Sequence, residues 1–390
     1  MIFQIDKSQQ QIEKAVDDFT RGEFKKEVVA ELAESRQFPE KIWKKACHLG
    51  FVGIHFPELY GGEGLGMVEN VLVTERLCRA DSSIGTCVSR AGYATEFILR
   101  FGNESQKKKW LPKVARGEIL AGGALREPGD EDPIGSCRTT AVKEGDEWVI
   151  NGVKSFVLNA GPLCGVYVVL CNTGTGEPGS DSHLSTILVD AHRPGVTVAD
   201  AGAMLGLRSM HIGTVRFEQV RVPLDHLVGS ENAGHTQILT CQNERRIQAA
   251  AELLGIAVGA FERAFQHVAQ REQFRRKIID FQVTRQKFGD MATRIQAARL
   301  LAYQAASYLD QGCANDRLSA MAKLQATRTA LAVCDEAVQL LGGYGYVQEY
   351  EVERFFRDAR ALGVLDGTQI AQKNIIAEGI MKAKGSLSIS

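Results

Sequence analysis

The spacing of apolar residues changes twice along the chain and divides it into three segments. In the first segment, apolar residues recur every three or four positions, as at Ile12, Val16 and Phe19, which places them on one face of a helix. Residues 60–66 are too rich in glycine for a helix and predict a surface turn. We therefore predict a helical N-terminal domain over residues 1–120.

Apolar and polar residues alternate in the middle segment, as they do in half-buried strands. The alternating runs are short, and turn sequences such as Glu-Gly-Asp-Glu at 144–147 separate them. The runs lie at 139–142, 148–152, 166–170, 186–189 and 214–217. Short strands at this spacing are typical of a compact antiparallel barrel or sandwich. We predict a β-barrel domain over residues 121–234.

Helical periods return from about residue 235. Apolar stripes run from 247 to 268 and from 288 to 309, and an alanine-rich stretch follows at 317–341. Gly342 and Gly343 then fit a helix C-cap. We predict a four-helix bundle over residues 235–390, and therefore an α+β multidomain fold for the whole chain.

Composition narrows the class of protein. The 390 residues are 44% hydrophobic and 24% charged, which is typical of a folded globular protein. The net charge of −1 gives no electrostatic reason to expect nucleic acid or an anionic membrane as a partner. No apolar run is long enough to span a membrane, and the first ten residues do not resemble a targeting peptide. We therefore expect a cytoplasmic protein.

Nine cysteines are scattered along the chain, without Cys-x-x-Cys pairs or histidines at metal-ligand spacing. An odd number of cysteines in a chain of this length is typical of an intracellular protein with reduced, mostly buried thiols. We expect no metal site.

Several short motifs occur in a fixed order. They are Phe-Pro-Glu-Leu-Tyr-Gly-Gly at 56–62, Phe-Gly at 101–102, Trp-Leu-Pro at 110–112, Glu-Pro-Gly at 127–129, Val-Ile-Asn-Gly-Val-Lys at 149–154, Gln-Leu-Leu-Gly-Gly-Tyr-Gly-Tyr at 339–346, Arg-Asp-Ala at 357–359 and Asp-Gly-Thr at 366–368. Together with the order of the domains, they resemble the acyl-CoA dehydrogenase superfamily over nearly the whole chain. No single motif is specific, but so many in this order are not expected by chance.

The resemblance implies that FAD binds between the barrel and the C-terminal bundle, with its adenine and pyrophosphate held partly by a neighbouring subunit. A homodimer or homotetramer is therefore expected. An arginine can pair with pyrophosphate, and glycines let backbone N–H groups approach phosphate closely. The cofactor-binding residues that the resemblance implies in these segments are Arg271, Phe274, Gln282, Gln339, Gly342, Gly343, Gly345 and Thr368.

In this family one carboxylate removes the α-proton of an acyl thioester while a hydride leaves the β-carbon for the flavin. Burial in an apolar pocket raises the pKa of such a carboxylate toward neutrality. Where the family has Glu-Gly-Thr, this chain has Asp366, Gly367 and Thr368. Asp366 is our candidate for the catalytic base, although its side chain ends about 1.5 Å short of a glutamate's.

Some members of the family carry the base on the first helix of the C-terminal domain instead. Counting back from Gly255 places Arg245 at that position, and an arginine cannot act as a base. A shift of one residue would place Glu244 there. Glu244 is therefore the second candidate.

The positions that touch the flavin ring depart most from the family pattern. Phe156 and Leu158 stand where the family has Trp-Ile-Thr, so Leu158 replaces a hydroxyl that bonds near the reactive flavin nitrogen. Arg126 replaces a threonine, and Asp132 replaces a serine. Arg126 would place a cation beside the ring or occupy part of its volume. The lost hydroxyl donors are expected to change the flavin's reduction potential.

Three residues are expected to contact the substrate: Arg90, Arg246 and Asn243. Arg90 lies on the helix that faces the acyl pocket in the family. There it would pair with an acidic acyl tail, or else form an exposed ion pair.

Three functions stay open from the sequence. The first is a FAD-dependent acyl-CoA dehydrogenase that passes electrons to an electron-transfer flavoprotein. The second is a divergent flavoenzyme of the same fold: an oxidase, a lyase or an enzyme of acyl groups bound to a carrier protein. The third is a subunit that has lost its flavin and serves as a partner or scaffold.

Overall fold

The computed structural model describes residues 5–129, 137–174 and 183–382, and its N-terminal part is helical. Its helices are α1 (Lys7–Glu23), α2 (Lys26–Ser35), α3 (Glu40–His48), α4 (Met67–Ala80), α5 (Ser82–Ser89), α6 (Thr95–Phe101) and α7 (Glu104–Ala115). The glycine-rich segment after α3 forms turns, as predicted, and Gly66 at its end lies against Asp310. Asp310 accepts hydrogen bonds from the first two backbone N–H groups of α4, Met67 at 2.6 Å and Val68 at 3.0 Å, so it caps that helix.

The middle part is a curled sheet with seven strands in the described residues. The strands are β1 (Leu120–Ala124), β2 (Thr140–Glu144), β3 (Glu147–Leu158), β4 (Cys164–Asn172), β5 (Leu184–Asp190), β6 (Val196–Asp200) and β7 (Ile212–Pro223). Their order is β1-β4-β2-β3-β7-β6, with β5 also paired to β4. Most pairs are antiparallel, as predicted. However, β1 runs parallel to β4, so the sheet is mixed.

The C-terminal part returns to long helices, and the predicted bundle is confirmed. It contains α8 (Gly234–Gln270), the short hairpin β8–β9 (Glu272–Gln273 and Arg276–Lys277), α9 (Gln282–Asp310), α10 (Asp316–Leu341), α11 (Val352–Leu362) and α12 (Gln369–Lys382). The N-terminal helix α4 packs on α8, so one apolar core continues from the first part of the chain into the bundle.

A buried carboxylate joins the three parts. Asp358 on α11 is fully buried and accepts hydrogen bonds of 2.6 Å from the hydroxyls of Ser82 and Ser83 at the start of α5. It also accepts a 2.6 Å bond from the backbone N–H of Leu207, in the loop between β6 and β7. Since these donors would be costly to bury without a partner, Asp358 fixes the parts relative to one another.

The described parts of the chain contain neither a helix suited to cross a membrane nor a cluster of metal-binding side chains. None of the described helices is long and apolar enough to cross a membrane. The described residues also contain no group of three or more histidine, cysteine or acidic side chains that could hold a metal ion. The cysteines are unpaired, and only Cys313 is exposed.

Candidate active site

Asp366 lies in the sharp turn between α11 and α12. Asp366 and the following Gly367 both have left-handed backbone angles, with φ of 55° and 98°. Lys323, a fully buried residue of α10, donates to the carbonyl oxygens of Leu365 and Gly367 on either side of Asp366. Gln372 donates to the carbonyl of Asp366 itself at 3.3 Å. These bonds hold the turn against the bundle and give Asp366 a fixed position.

The carboxylate of Asp366 is buried and doubly bonded. Its side chain is 3% exposed. Oδ2 accepts from Nη1 of Arg90 at 2.8 Å, and Oδ1 accepts from the hydroxyl of Tyr93 at 2.8 Å. Arg90 follows α5 directly, and Tyr93 lies in the turn before α6. The N-terminal part and the bundle therefore meet at this carboxylate.

Arg90 bridges two carboxylates. Its Nε and Nη2 form a two-pronged contact with the oxygens of Glu252 on α8, at 2.7–3.0 Å. Ser89 adds a bond of 3.0 Å to the same glutamate. Arg90 is 2% exposed and Glu252 is fully buried. Each of the three side-chain nitrogens of Arg90 thus donates to a carboxylate of its own chain, in a buried cluster and not in the exposed ion pair that was one of the two predictions for this residue.

The electrostatics of this cluster differ from the sequence-based expectation. Burial alone would raise the pKa of Asp366, but the positive charges of Arg90 and Lys323 outweigh it and lower that pKa to about 2. The expected rise toward neutrality is absent because the paired cations stabilise the ionised form. Burial lowers the pKa of Lys323 to about 7, although Asp366 opposes this shift.

A pocket opens beside this cluster. Its wall is largely apolar, with side chains such as Phe56, Met67 and Leu77, and Arg90 and Tyr93 line it from the side of Asp366. Both partners of the candidate base therefore border the pocket. A buried, ion-paired carboxylate whose partners line a mostly apolar cavity is a candidate functional site.

The second candidate base, Glu244, lines the pocket itself from α8, whereas Asp366 lies behind the lining residues Arg90 and Tyr93. It is 4% exposed in its side chain and forms an ion pair with Arg100 of α6. Across the pocket, Glu96 contacts Nε2 of His55 at 2.6 Å. Glu244 is thus buried and beside the cavity, but it already has a cationic partner.

The other two expected substrate residues contact each other on α8. Arg246 is 4% exposed and donates from Nη1 to the side chain of Asn243 at 3.3 Å and from Nη2 to Gln242 at 2.5 Å. Asn243 donates to Asp316, the first residue of α10, at 2.7 Å. These contacts place both residues at the junction of α8 and α10.

The end of β3 carries the residues expected beside the flavin ring. Phe156 has a left-handed φ of 50° and is 59% exposed, whereas Leu158 is 2% exposed within the main apolar core. The next residue, Asn159, donates to the carbonyls of Arg90 at 2.8 Å and Ala121 at 3.0 Å. This amide fixes the end of β3 beside the Asp366 cluster. Arg126 is exposed, and Asp132 lies outside the described residues.

Most of the residues expected to hold pyrophosphate lie elsewhere, at one end of the bundle, whereas Thr368 follows Asp366 by two residues. Arg271 follows α8, Gln282 begins α9, and Gln339 is near the end of α10. Three more of the predicted residues, Gly342, Gly343 and Thr368, are exposed, and Phe274 is 86% exposed. Since a helix rises about 1.5 Å per residue, Arg271 lies about 28 Å along α8 from Glu252.

Gly345 and Thr368 have roles inside the chain. A Cβ at Gly345 would lie 2.3 Å from the carbonyl oxygen of Val338, so this glycine is required by packing against α10. The sequence predicted a contact between Gly345 and phosphate, whereas the structure buries this residue. The hydroxyl of Thr368 accepts from the backbone N–H of Ala371 at 3.3 Å, at the start of α12.

Comparison with known proteins identifies the family. The family models for the N-terminal, middle and C-terminal domains of acyl-CoA dehydrogenase match residues 6–118, 123–220 and 232–381. The chain belongs to the acyl-CoA dehydrogenase family. It is therefore an oxidoreductase, and the resemblance and fold class predicted from its motifs are confirmed.

Relatives match over almost their full length. An acyl-CoA dehydrogenase of Bacillus subtilis is 36% identical, over 97% of this chain and 99% of the relative. The caffeyl-CoA reductase-Etf complex subunit CarC of Acetobacterium woodii is 33% identical, over 95% of this chain and 97% of that protein. The solved structure of butyryl-CoA dehydrogenase from Megasphaera elsdenii has a TM-score of 0.92 at 30% identity, and the alignment covers 98% of this chain and 100% of that one.

Three residues of the cluster around Asp366 were not predicted from the sequence: Lys323, Glu252 and Tyr93. Lys323 lies in the alanine-rich stretch that became α10, and Glu252 follows three alanines and precedes two leucines. A charged side chain in so apolar a segment needs a buried partner, and this signal could have identified both. Tyr93 carries no such signal, since aromatic residues are common in cores.

Proposed function

We propose that this protein is a FAD-dependent acyl-CoA dehydrogenase in which Asp366 removes the α-proton of the acyl thioester. The supporting observation is the buried carboxylate of Asp366 beside the mostly apolar pocket. Its partners Arg90 and Tyr93 both line that pocket. An acyl chain that enters the pocket would approach the side of the cluster where these partners meet the carboxylate.

The bonding of Asp366 allows it to act as a base. At neutral pH it is ionised, because its pKa is lowered to about 2, so it is ready to accept a proton. A carboxylate with so low a pKa is a weak base. However, Arg90 also contacts Glu252 through Nε and Nη2, so its charge would stay paired if the side chain of Asp366 rotated toward the substrate. Release from Arg90 would make Asp366 more basic at the moment of proton transfer.

The residues at the ends of the bundle and of β3 fit FAD. Gly342 and Gly343 have open space where a Cβ would stand, so their backbone can approach a phosphate. The exposed rings of Phe156 and Phe274 offer surfaces on which an aromatic cofactor can lie. FAD, when bound, supplies the acceptor for the hydride that leaves the β-carbon.

The placement of these residues supports an oligomer. About 28 Å of α8 separate Arg271 from the level of the Asp366 cluster. The pyrophosphate residues of one subunit therefore serve the flavin whose ring lies beside the Asp366 cluster of another subunit. We propose a homodimer or homotetramer on this ground.

An electron-transfer flavoprotein is the proposed electron acceptor. A relative at 33% identity is named as a subunit of a complex with such a protein, and it aligns over nearly the whole chain. Acyl-CoA is the proposed form of the substrate, because the chain belongs to the acyl-CoA dehydrogenase family.

The visible absorption spectrum of the purified protein tests the proposal, before and after anaerobic addition of acyl-CoA thioesters. We expect a flavin spectrum that bleaches with a thioester and recovers when an electron-transfer flavoprotein is added. Bound flavin that never bleaches would favour a divergent flavoenzyme instead. A colourless protein that takes up no added FAD would favour a subunit without a redox site.

A further inference from the structure

Arg245 lines the mostly apolar pocket beside the Asp366 cluster, on α8, and is 7% exposed. Its guanidinium lies over the rings of Tyr93 and Phe97, 4.5 Å and 4.9 Å from their centroids. Among the described residues, its Nε and Nη2 have no hydrogen-bond partner. The arginine is therefore held in place by contact with two aromatic rings.

The other charged groups around the pocket have partners. Arg90 contacts Glu252 and Asp366, Arg100 contacts Glu244, and Glu96 contacts His55. The charge of Arg245 reaches Asp366 and Glu96 through space and lowers the pKa of each, but neither accepts a hydrogen bond from it among the described contacts. Arg245 is thus the arginine of this pocket with unused donors.

Buried donors on a cation are costly to leave unpaired, more so than those of a neutral group. The adjacent Nε and Nη2 of an arginine form a fork that fits the two oxygens of a carboxylate. Arg90 shows this fit within the same cluster, since the same two nitrogens contact both oxygens of Glu252. The equivalent edge of Arg245 has no such partner.

We propose that the pocket takes acyl groups that carry a second carboxylate, and that Arg245 is the residue that recognises it. This inference rests on the proposed function, because the pocket must first be the acyl site. The apolar wall would hold the methylene groups of the acyl chain, while Arg245 would bind the far carboxylate. Arg245 would then select the substrate, and Asp366 would carry out the proton transfer.

Matched pairs of thioesters test the proposal. Each pair has the same number of acyl carbons and differs in the terminal carboxylate: succinyl-CoA with butyryl-CoA, glutaryl-CoA with pentanoyl-CoA, and adipyl-CoA with hexanoyl-CoA. Binding to the anaerobic holoenzyme is measured by isothermal titration calorimetry, and the flavin spectrum is recorded in parallel. We expect the carboxylated member of at least one pair to bind ten times more tightly than its neutral partner or better.

Two variants assign this preference to Arg245. In Arg245→Met the ratio of the two dissociation constants should fall at least tenfold, because the fork and its charge are lost. Arg245→Lys keeps the charge without the fork and should give an intermediate ratio. The control is Arg216→Met, on the exposed surface of β7, which should keep the wild-type ratio.

Failure of the inference and failure of the proposed function give different results. If the neutral thioester binds as tightly as its partner in every pair, or if Arg245→Met keeps the wild-type ratio, Arg245 does not select a carboxylate. If a carboxylated thioester binds tightly through Arg245 but never bleaches the flavin, the recognition stands and the dehydrogenase proposal falls.

Discussion

The carboxylate of Asp366 lies 2.8 Å from Nη1 of Arg90, in an ion pair whose two side chains are 3% and 2% exposed. Such a pair is expensive to bury, and it persists because both partners have further bonds. Tyr93 completes the bonding of Asp366, and Glu252 completes that of Arg90. The candidate base is therefore held ionised and in place, at the expense of its basicity.

We expect Asp366→Asn to lower kcat by about 10²- to 10⁴-fold, the usual contribution of a general base. An amide has nearly the same shape but cannot accept the α-proton. The residues proposed to contact FAD are unchanged, so the variant should keep its flavin spectrum. Stopped-flow bleaching by an acyl-CoA measures the chemical step directly.

Asp146→Asn is the matched control, since Asp146 is exposed in the turn between β2 and β3. It should bleach at the wild-type rate. An Asp366→Asn variant that bleaches within about threefold of the wild type would remove Asp366 as the base, and Glu244→Gln would then be the variant to measure.

Arg90→Gln should change the pH dependence of kcat/KM. With Arg90 present, the pKa of Asp366 is about 2, so its ionisation causes no loss of activity between pH 5 and pH 8. Without that cation, burial is less opposed and the pKa rises. Activity should then fall as the pH falls through the new pKa. A profile measured over this pH range shows the acidic limb in the variant alone.

Arg354→Gln separates this effect from simple destabilisation. Arg354 forms another buried ion pair, with Asp81 at 2.8 Å, and the two side chains are 5% and 2% exposed. Breaking either pair should cost about 3–5 kcal/mol of unfolding free energy. Only Arg90→Gln should shift the pH profile. The same shift in both variants would mean that loss of stability, and not the charge beside Asp366, is responsible.

The sequence predicted the fold because periodicity and ordered motifs act locally. The helical stripes, the alternating strands and Asp366 itself could all be read from short windows. The parallel pairing of β1 with β4 could not, because nothing within Leu120–Ala124 specifies a partner some forty residues away. Strand neighbours are set by packing of the whole sheet.

The electrostatics of the site could not be predicted from the sequence either, because they depend on contacts between residues that are distant in the chain. The pKa of Asp366 depends on Arg90 and Lys323, which are distant in the chain and converge only in the fold. The motif predicted a carboxylate at position 366. It could not predict whether burial or nearby cations would dominate its pKa, and the family pattern favoured the wrong one.

Asp358→Ala should destabilise the protein by about 1–3 kcal/mol for each buried donor that it leaves unsatisfied. The change leaves the hydroxyls of Ser82 and Ser83 and the N–H of Leu207 without their shared acceptor in a buried place. Asp358→Asn keeps one acceptor oxygen and should cost less. Urea unfolding followed by far-UV circular dichroism measures the difference.

Asp335→Ala, at an exposed position of α10, is the control for Asp358 and should stay within about 0.5 kcal/mol of the wild type. Equal stability of Asp358→Ala and wild type would show that contacts other than those of Asp358 hold the three parts together. The hydrogen bonds of Asp358 would then add nothing measurable.

Lys323 should make the protein more stable as the pH rises from 7 to 10. In the fold, burial lowers the pKa of Lys323 to about 7, while in the unfolded chain it has an ordinary value of about 10.4. Between these values the unfolded state binds a proton that the folded state does not, so unfolding becomes harder as protons become scarce. Below pH 7 the amine of Lys323 is protonated in both states, so the folded protein bears the full free-energy cost of burying that charge.

Lys323→Met removes this titration together with the two bonds to Leu365 and Gly367. The unfolding free energy of the wild type minus that of the variant should therefore rise between pH 7 and pH 9, by up to about 1.4 kcal/mol per pH unit. Other titrating groups are common to both proteins and cancel in the difference. In Lys41→Met, at an exposed position of α3, the same difference should stay constant. If the difference for Lys323→Met is also constant, Lys323 stays protonated in the fold, and its bonds to the Asp366 turn are those of a permanent cation.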